Sequence, residues 1–328
     1  MKAGLFVNQG NLGDFNGWEP RAAWDRALAV ARLAERLGFA ALWVPDHVAN
    51  LPGHEAAGAA AAADGGGDFT LDPFTLLAAL AIETRTPSLG HLVTCSPFRN
   101  PALVAKAIST IDVASGGRAV CAVGAGWNRR EFDAYGIPYG STGERLAILR
   151  DHLEILTRMF APGTATFDGE HARVVEAPNE PKGFGATPGG GGEIRSGHEV
   201  RSGEDVPGGD PSRRIPILVG GNGPEVTWRL AARFADELNL DYLTADQVAK
   251  ALPVIRARCE EIGRDPETLR VSALANLPDS RAARVEALAH YRSLGLVRLD
   301  RIDARIAASD EPLLAYVEEL AAAGVGLG

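Results

Sequence analysis

Five short segments that could carry chemistry each follow a predicted strand. They supply amide, carboxylate, imidazole, hydroxyl, thiol or glycine groups and are Asn8-Gln9-Gly10, Asp46-His47, Thr94-Cys95-Ser96, Gly124-Ala125-Gly126-Trp127 and Gly220-Gly221-Asn222-Gly223. His47 follows a carboxylate, and an imidazole in that position could donate a hydrogen bond or relay a proton near neutral pH. Position alone still favours a structural role for this histidine.

The glycine segment 220–223 precedes Pro224, at which we predict the start of a helix. The N–H groups and the dipole of a helix N-terminus attract a phosphate, and glycines allow the phosphate to approach closely. A tight turn between a strand and a helix explains the same residues and is the default interpretation of this motif.

Three residues near these segments also have two interpretations each. Trp127 could form the wall of a planar ligand site, although a tryptophan at a strand end more often packs over the rim. Glu131 lies one helical turn later and could face the same site, but we expect its carboxylate to be solvated. Cys95 is expected to be a small buried residue rather than a reactive thiol.

Common catalytic motifs are missing from the sequence. It contains no Gly-x-Gly-x-x-Gly after the first strand, no P-loop, no His-Glu-x-x-His and no Gly-x-Ser-x-Gly. The three cysteines lack the spacing of metal ligands, so no metal site is predicted. The residues alone therefore indicate no more than the anion site at 220–223.

Strand and helix patterns alternate along most of the chain and must position these segments. The seven predicted strands are 3–7, 40–44, 88–93, 118–123, 215–219, 237–240 and 269–273. Parallel strands joined by helical crossovers, in this number, favour a closed (β/α)₈ barrel, also called a TIM barrel. Such a barrel gathers its active-site loops at the C-terminal ends of the strands. The eighth strand is expected only as a short, incomplete stub near Leu327.

The composition is that of a globular protein, since 46% of the 328 residues are hydrophobic and 23% are charged. One domain spanning 1–328 is expected, because a barrel of this kind can be a single unit. The net charge of −9 argues against nucleic acid as a partner. No apolar run reaches about 18 residues and no secretory signal is recognised, so we expect a cytoplasmic protein without a membrane partner.

Segment 183–214 departs from the alternating pattern. It is rich in glycine, serine and charged residues and has almost no large apolar side chains. Such a segment buries too little apolar surface to offset the entropy of ordering it. We therefore predict a flexible, Gly-rich insertion within the single domain.

Six segments, taken in order and with their spacing, carry a resemblance to a known family. They are 38–47, 89–94, 99–101, 111–118, 124–128 and 216–222. Together they resemble the luciferase-like flavin and deazaflavin oxidoreductase family, over nearly the whole chain. Segments 179–181 and 230–236 are most similar to the branch of that family assigned to coenzyme F420, a deazaflavin.

The resemblance implies roles for individual residues. Asp46 and His47 are implied to be catalytic and to lie near the cofactor ring, and the Leu92–Val93 bond to be a non-proline cis peptide behind it. The implied cofactor-binding residues are Leu92, Val93, Thr94, Gly124, Gly126, Trp127, Gly220, Gly221 and Asn222. Of these, the segment 220–222 would hold the phosphate tail, and 183–214 matches the position of the family's variable substrate lid.

The resemblance therefore implies an F420-dependent oxidoreductase that transfers a hydride between the deazaflavin and a small organic substrate. One alternative is an FMN-dependent monooxygenase supplied by a partner flavin reductase, and another is a catalytically silent flavin-binding protein. Sugar-phosphate dehydrogenases of the family place a glutamate after the fourth-strand glycines, where this chain has Trp127, which argues against that substrate. A homodimer is also expected from the resemblance.

Overall fold

The computed structural model describes residues 1–50, 69–183 and 214–327. Eight parallel strands close into a ring, so the predicted (β/α)₈ barrel is confirmed. In ring order the strands are β1 Lys2–Phe6, β2 Ala41–Val44, β3 Ser88–His91, β5 Ala119–Gly124, β8 Ile217–Gly220, β9 Glu237–Leu240, β10 Arg270–Leu274 and β11 Arg298–Arg301. Pairing of β11 with β1 closes the ring.

Three further strands lie at or outside the ring. The two-residue strand β4, Thr94–Cys95, follows β3 after a break and pairs with β5. Strands β6, Ala165–Asp168, and β7, Arg173–Ala177, form an antiparallel hairpin of their own. This hairpin lies outside the barrel.

Helices surround the ring and cover the outer face of its strands. They are α1 Pro20–Arg36, α2 Pro73–Glu83, α3 Pro101–Ser115, α4 Arg129–Ala134, α5 Thr142–Phe160, α6 Thr227–Phe234, α7 Ala245–Glu260, α8 Arg281–Ser293 and α9 Glu311–Ala322. Helix α6 begins at Thr227 rather than at the predicted Pro224, because residues 224–226 form a turn. Within the described ranges, no helix combines the length and apolarity needed to cross a membrane. Homodimer formation stays a prediction.

The expectation of an incomplete eighth strand near Leu327 was wrong. The closing strand is β11, and helix α9 follows it. Strand β11 does not read as an apolar run because Arg298 and Asp300 occupy alternate positions on it and belong to a charge cluster, in which Asp300 is fully buried and Arg298 largely so. Only Leu299 between them, fully buried in the outer core, has the apolar character expected of a buried strand.

That charge cluster fills part of the barrel interior. Arg298 donates from Nε to Asp300 Oδ1 at 2.7 Å and from Nη2 to Glu237 Oε1 at 2.6 Å. Trp43 Nε1 donates to the same Asp300 oxygen at 2.8 Å. The Arg298 guanidinium also lies 4.6 Å from the centroid of the Trp43 ring. Burial alone would lower the pKa of Arg298, but the two carboxylates raise it above its usual value. These pairings satisfy charges that would be costly to bury singly.

The predicted insertion 183–214 falls almost wholly outside the described residues. Only its two end residues are described. Gly183 has a φ of +89°, and Arg214 Nη2 donates to Asp236 Oδ1 at 2.6 Å. The flexibility of the insertion and the extent of the single domain stay predictions.

Two buried histidines predict a loss of stability in mild acid. Burial lowers the pKa of His91 and the pKa of His152 to about 4, whereas an exposed histidine titrates near 6.5. Between these values the unfolded chain binds more protons than the folded chain, so the free energy of unfolding falls as pH falls. Urea denaturation should show a loss of up to about 1.4 kcal/mol per histidine per pH unit in this window.

The variant His152→Gln provides the comparison for this prediction. It removes one of the two titrations, so its free energy of unfolding should fall less steeply between pH 6.5 and 4.5 than that of the parent protein. Equal slopes for the two proteins would contradict the assignment of a neutral, buried His152.

Candidate active site

A cavity of about 610 Å³ lies at the C-terminal ends of the barrel strands. Nine of the residues proposed from the sequence line it: Asp46, His47, Leu92, Val93, Gly124, Gly126, Trp127, Gly220 and Gly221. Two others lie outside the lining. Thr94 Oγ1 is 3.3 Å from His91 Nδ1, and Asn222 Nδ2 donates to the Asp241 carbonyl at 2.7 Å. The barrel topology thus brings most of the separate loops together.

His47 is held by a buried carboxylate at the edge of this cavity. Its Nδ1 lies 2.8 Å from Glu131 Oε2, which also accepts from Asn128 Nδ2 at 2.9 Å. The other oxygen, Oε1, accepts from the backbone N–H groups of Val48 at 2.7 Å and Ala49 at 3.3 Å. Burial alone would raise the pKa of Glu131, but the hydrogen bonds and charge of His47 and the other donors outweigh it and lower the pKa.

The expectation that Glu131 is solvated was wrong, since the residue is only 1% exposed. Helix α4 begins at Arg129, three residues after Gly126 in the loop that follows β5, and its first turn lies beside the loop after β2. The Asn128-x-x-Glu131 spacing resembles a capping box at a helix N-terminus. Instead of capping its own helix, the carboxylate reaches across to the neighbouring loop. A carboxylate in the first turn after a strand-end loop is the signal that could have identified it.

The Glu131 contact determines which nitrogen of His47 serves a ligand. An ionised carboxylate only accepts hydrogen bonds, so the neutral imidazole carries its proton on Nδ1. Nε2 is then the ring nitrogen available to a ligand in the cavity. The Trp127 ring meets the His47 ring edge-on at 6.0 Å between centroids and is 53% exposed, so it can contact both His47 and a ligand.

Asp46 has a different environment from its neighbour His47. Its carboxylate is buried and accepts from Arg99 Nη1 at 2.6 Å and from the Cys95 N–H at 2.8 Å. The Arg99 guanidinium also lies 4.5 Å from the centroid of the Phe74 ring. Asp46 is therefore suited to positioning the β4 segment rather than to transferring a proton. Cys95 is buried as expected, and burial raises the pKa of its thiol.

The break between β3 and β4 forms the floor of the cavity. The Leu92–Val93 peptide is cis, which confirms the expectation drawn from the family resemblance. The Val93 side chain lies against two glycines on neighbouring strands. A Cβ on Gly124 would come within 2.6 Å of Val93 Cγ2, and a Cβ on Gly220 within 2.6 Å of Val93 Cγ1. An apolar floor bordered by glycines fits a flat ring system.

The other end of the cavity fits an anionic group. Gly221 has a φ of +133°, and a Cβ on Gly223 would come within 2.9 Å of Thr227 Oγ1, so glycines keep this end open. Thr227 is the first residue of α6, whose N-terminal N–H groups favour negative charge. Among the lining residues that the structure describes, none is lysine or arginine. Backbone N–H groups and a hydroxyl would therefore have to hold a phosphate here.

No group of three or more His, Cys, Asp or Glu side chains in the described ranges is arranged to hold a metal ion.

The family model for luciferase-like monooxygenases matches residues 1–324. The chain belongs to the luciferase-like monooxygenase family. The resemblance predicted from the six sequence segments is thereby confirmed.

Two relatives are similar to this chain in sequence, and one solved structure is similar to it in fold. An uncharacterized protein of Mycobacterium tuberculosis (strain ATCC 25618 / H37Rv) is 31% identical over 212 residues, which cover 63% of this chain and 64% of that protein. The 5,10-methylenetetrahydromethanopterin reductase of Methanolobus tindarius is 27% identical over 249 residues, 75% of this chain and 59% of the reductase. The solved structure is an F420-dependent secondary alcohol dehydrogenase in complex with an F420-acetone adduct, with a TM-score of 0.71, 17% identity, and coverage of 98% and 99%.

The floor of this luciferase-like barrel gives a direct test of the packing. Gly220→Ala places a methyl group 2.6 Å from Val93 Cγ1, so we expect a loss of about 1–3 kcal/mol in the free energy of unfolding. Val93→Ala in the same chain removes the clashing methyl groups and should restore part of that loss. Urea denaturation measures both effects.

Gly143→Ala is the control for this experiment, because a Cβ there comes no closer than 3.8 Å to another residue. It lies in α5, where alanine is favoured over glycine, and should leave stability unchanged or raise it. If Gly220→Ala is as stable as this control, the assigned packing of Val93 is wrong.

Proposed function

We propose that the chain is an F420-dependent oxidoreductase that transfers a hydride between the deazaflavin and a small organic substrate carrying an alcohol or carbonyl group. The observation that carries this proposal is the position of His47, held by buried Glu131 at the edge of a glycine-bordered cavity. The cofactor and the substrate class are supported by the likeness to the F420-dependent secondary alcohol dehydrogenase. The two alternatives, an FMN-dependent monooxygenase and a catalytically silent flavin-binding protein, are outcomes of the titration and turnover experiment.

The residues present fit a deazaflavin in two places. Val93, between Gly124 and Gly220, would support the ring, and the segment 220–223 with Thr227 would hold the anionic tail. When bound, the deazaflavin accepts or supplies the hydride, which is chemistry that no side chain can provide. The protein contributes binding, orientation and the exchange of a proton.

His47 is the residue proposed to exchange that proton. In oxidation of an alcohol, the substrate O–H gives its proton to His47 Nε2 while the carbon loses a hydride, and a carbonyl is formed. In the reverse direction the imidazolium returns the proton to the carbonyl oxygen. Glu131 stabilises the imidazolium and keeps Nδ1 engaged in both directions, so it acts as a positioning residue.

The cavity wall next to His47 favours an uncharged substrate. Phe98 and Phe132 line it with their ring centroids 4.8 Å apart, and Trp127 extends the apolar surface to the rim. The described lining offers no lysine or arginine for a substrate phosphate. Trp127 also occupies the position at which the resemblance places the glutamate of sugar-phosphate dehydrogenases. These features support a small secondary alcohol or ketone.

The test begins with fluorescence titration of the purified protein with F420 and with FMN, followed by turnover of F420 with secondary alcohols and ketones. We expect micromolar binding selective for F420 and measurable turnover. His47→Gln should retain F420 affinity but lose about 10²-fold or more in kcat, because the proton acceptor is removed. His290→Gln, at an exposed position on α8, is the control and should match the parent protein.

Glu131→Gln tests the positioning residue separately. The neutral amide replaces the negative charge that accepts the hydrogen bond from His47 Nδ1. We therefore expect kcat to fall about tenfold, the pH profile of kcat to shift, and KM to change little. Glu286→Gln, at an exposed helical position, is the control. In the binding and turnover experiment, selective FMN binding with oxygen consumption would support a monooxygenase. Binding of F420 without turnover would support a catalytically silent protein. Either result would contradict the proposal.

A further inference from the structure

Asn239 places an amide on the cavity floor. It lies in β9, is 3% exposed and lines the cavity. In the barrel register it is paired with Gly220, which is in turn packed against Val93. An asparagine in this position can present either its oxygen or its nitrogen to a ligand, and the two choices select opposite ligand chemistry. The hydrogen bonds beneath it decide between them.

The Asn239 nitrogen is engaged inside the barrel. Nδ2 donates to Ser272 Oγ at 2.9 Å and to Asp300 Oδ2 at 3.1 Å. The Ser272 hydroxyl gives its single proton to Glu237 Oε1 at 2.6 Å, so toward Asn239 its oxygen can only accept. A carbonyl in place of the Nδ2 amide group would leave Ser272 facing another acceptor. The network therefore assigns the nitrogen to the barrel interior and the oxygen to the cavity.

The partners of Asn239 are themselves fixed. Glu237 and Asp300 are both bound by the Arg298 guanidinium, and Asp300 also accepts from the Trp43 indole. Rotation of the Asn239 amide would break two hydrogen bonds to this cluster. The charged interior thus holds the Asn239 oxygen toward the ligand before any ligand binds, which reduces the entropic cost of the contact.

We propose that Asn239 Oδ1 is a specificity-determining acceptor that binds an N–H on the pyrimidine edge of the cofactor ring. This inference rests on the proposed function. Asn239 shares the cavity lining with the apolar side chains of Val93 and Leu274, and its partner in the strand register is Gly220. A ligand without a donor at this point would leave a buried acceptor unpaired, so the site rejects it. Deazaflavins and flavins share this N–H, and Asn239 selects for the donor rather than between the two cofactors.

The test compares 8-hydroxy-5-deazariboflavin with its N3-methyl derivative in fluorescence titrations. The parent protein should bind the methylated compound more weakly, both because a hydrogen bond is lost and because a methyl group is added. Asn239→Leu keeps the number of side-chain heavy atoms and so keeps the steric effect of the methyl group, while it loses the acceptor together with the two donations from Nδ2 to Ser272 and Asp300. The ratio of interest is the dissociation constant of the N3-methyl compound divided by that of the unmethylated compound. This ratio should be about 10- to 100-fold smaller in Asn239→Leu than in the parent protein.

Asn179→Leu is the matched control. Asn179 is also fully buried and also engages its nitrogen twice, with Ser109 Oγ and the Met159 carbonyl at 3.0 Å each, but it does not line the cavity. The Asn179→Leu variant should be destabilised to a similar extent as Asn239→Leu, but its ratio of dissociation constants should equal that of the parent protein. If Asn239→Leu does not fold, Ser272→Ala replaces it, because loss of that acceptor leaves Nδ2 only its hydrogen bond to Asp300 among the two described above, which weakens the hold on the amide and should lower the ratio several-fold.

The outcomes separate this inference from the proposed function. If the parent protein binds the deazaflavin but the ratio is unchanged in Asn239→Leu, the role of Asn239 is overturned and the proposed cofactor stands. If the protein binds riboflavin but not the deazaflavin, the proposed cofactor fails, and the same ratio measured with riboflavin and N3-methylriboflavin supports or overturns the acceptor. Binding of neither ring overturns both.

Discussion

The buried carboxylate of Glu131 is the contact on which the mouth of the barrel depends. It joins the first turn of α4 to the loop after β2 through His47 and the N–H groups of Val48 and Ala49. A carboxylate removed from water is expensive unless several donors surround it. Without Glu131, these donors in the loop after β2 would lose their acceptor. The loop therefore stabilises the buried carboxylate, and the carboxylate stabilises the loop. One contact therefore fixes both the loop geometry and the chemistry of the imidazole.

The barrel interior divides into a charged part and an open part. Arg298 and its two carboxylates fill the region beneath the cavity, where bulky apolar residues would ordinarily pack. Above them, Gly124 and Gly220 leave room for the Val93 side chain, which packs against both glycines. Asn239 connects the two parts, because its nitrogen belongs to the charge cluster and its oxygen to the cavity. The interior thus supports the fold and orients a ligand-binding atom with one set of hydrogen bonds.

The sequence predicts those features that depend on local pattern. Apolar runs located seven strands, and barrel topology then placed His47 beside the glycine segments, although they lie far apart in the chain. Strand β11 was missed because its interior residues Arg298 and Asp300 are charged, and two of the groups that pair with them, Glu237 and the Trp43 indole, lie on other strands. Glu131 was misjudged for the same reason, since its partner His47 is 84 residues away. The cis Leu92–Val93 peptide came from family resemblance, because nothing in its composition indicates it.

The hydrogen bond with Glu131 is expected to fix His47 with its proton on Nδ1, which leaves Nε2 to a ligand. A long-range ¹H–¹⁵N correlation spectrum of histidine-labelled protein at pH 8, assigned with His47→Gln, measures the tautomer directly. We expect the Nδ1–H tautomer for His47 in the parent protein. An Nε2–H tautomer would contradict the hydrogen bond to Glu131 and with it the proposed proton exchange.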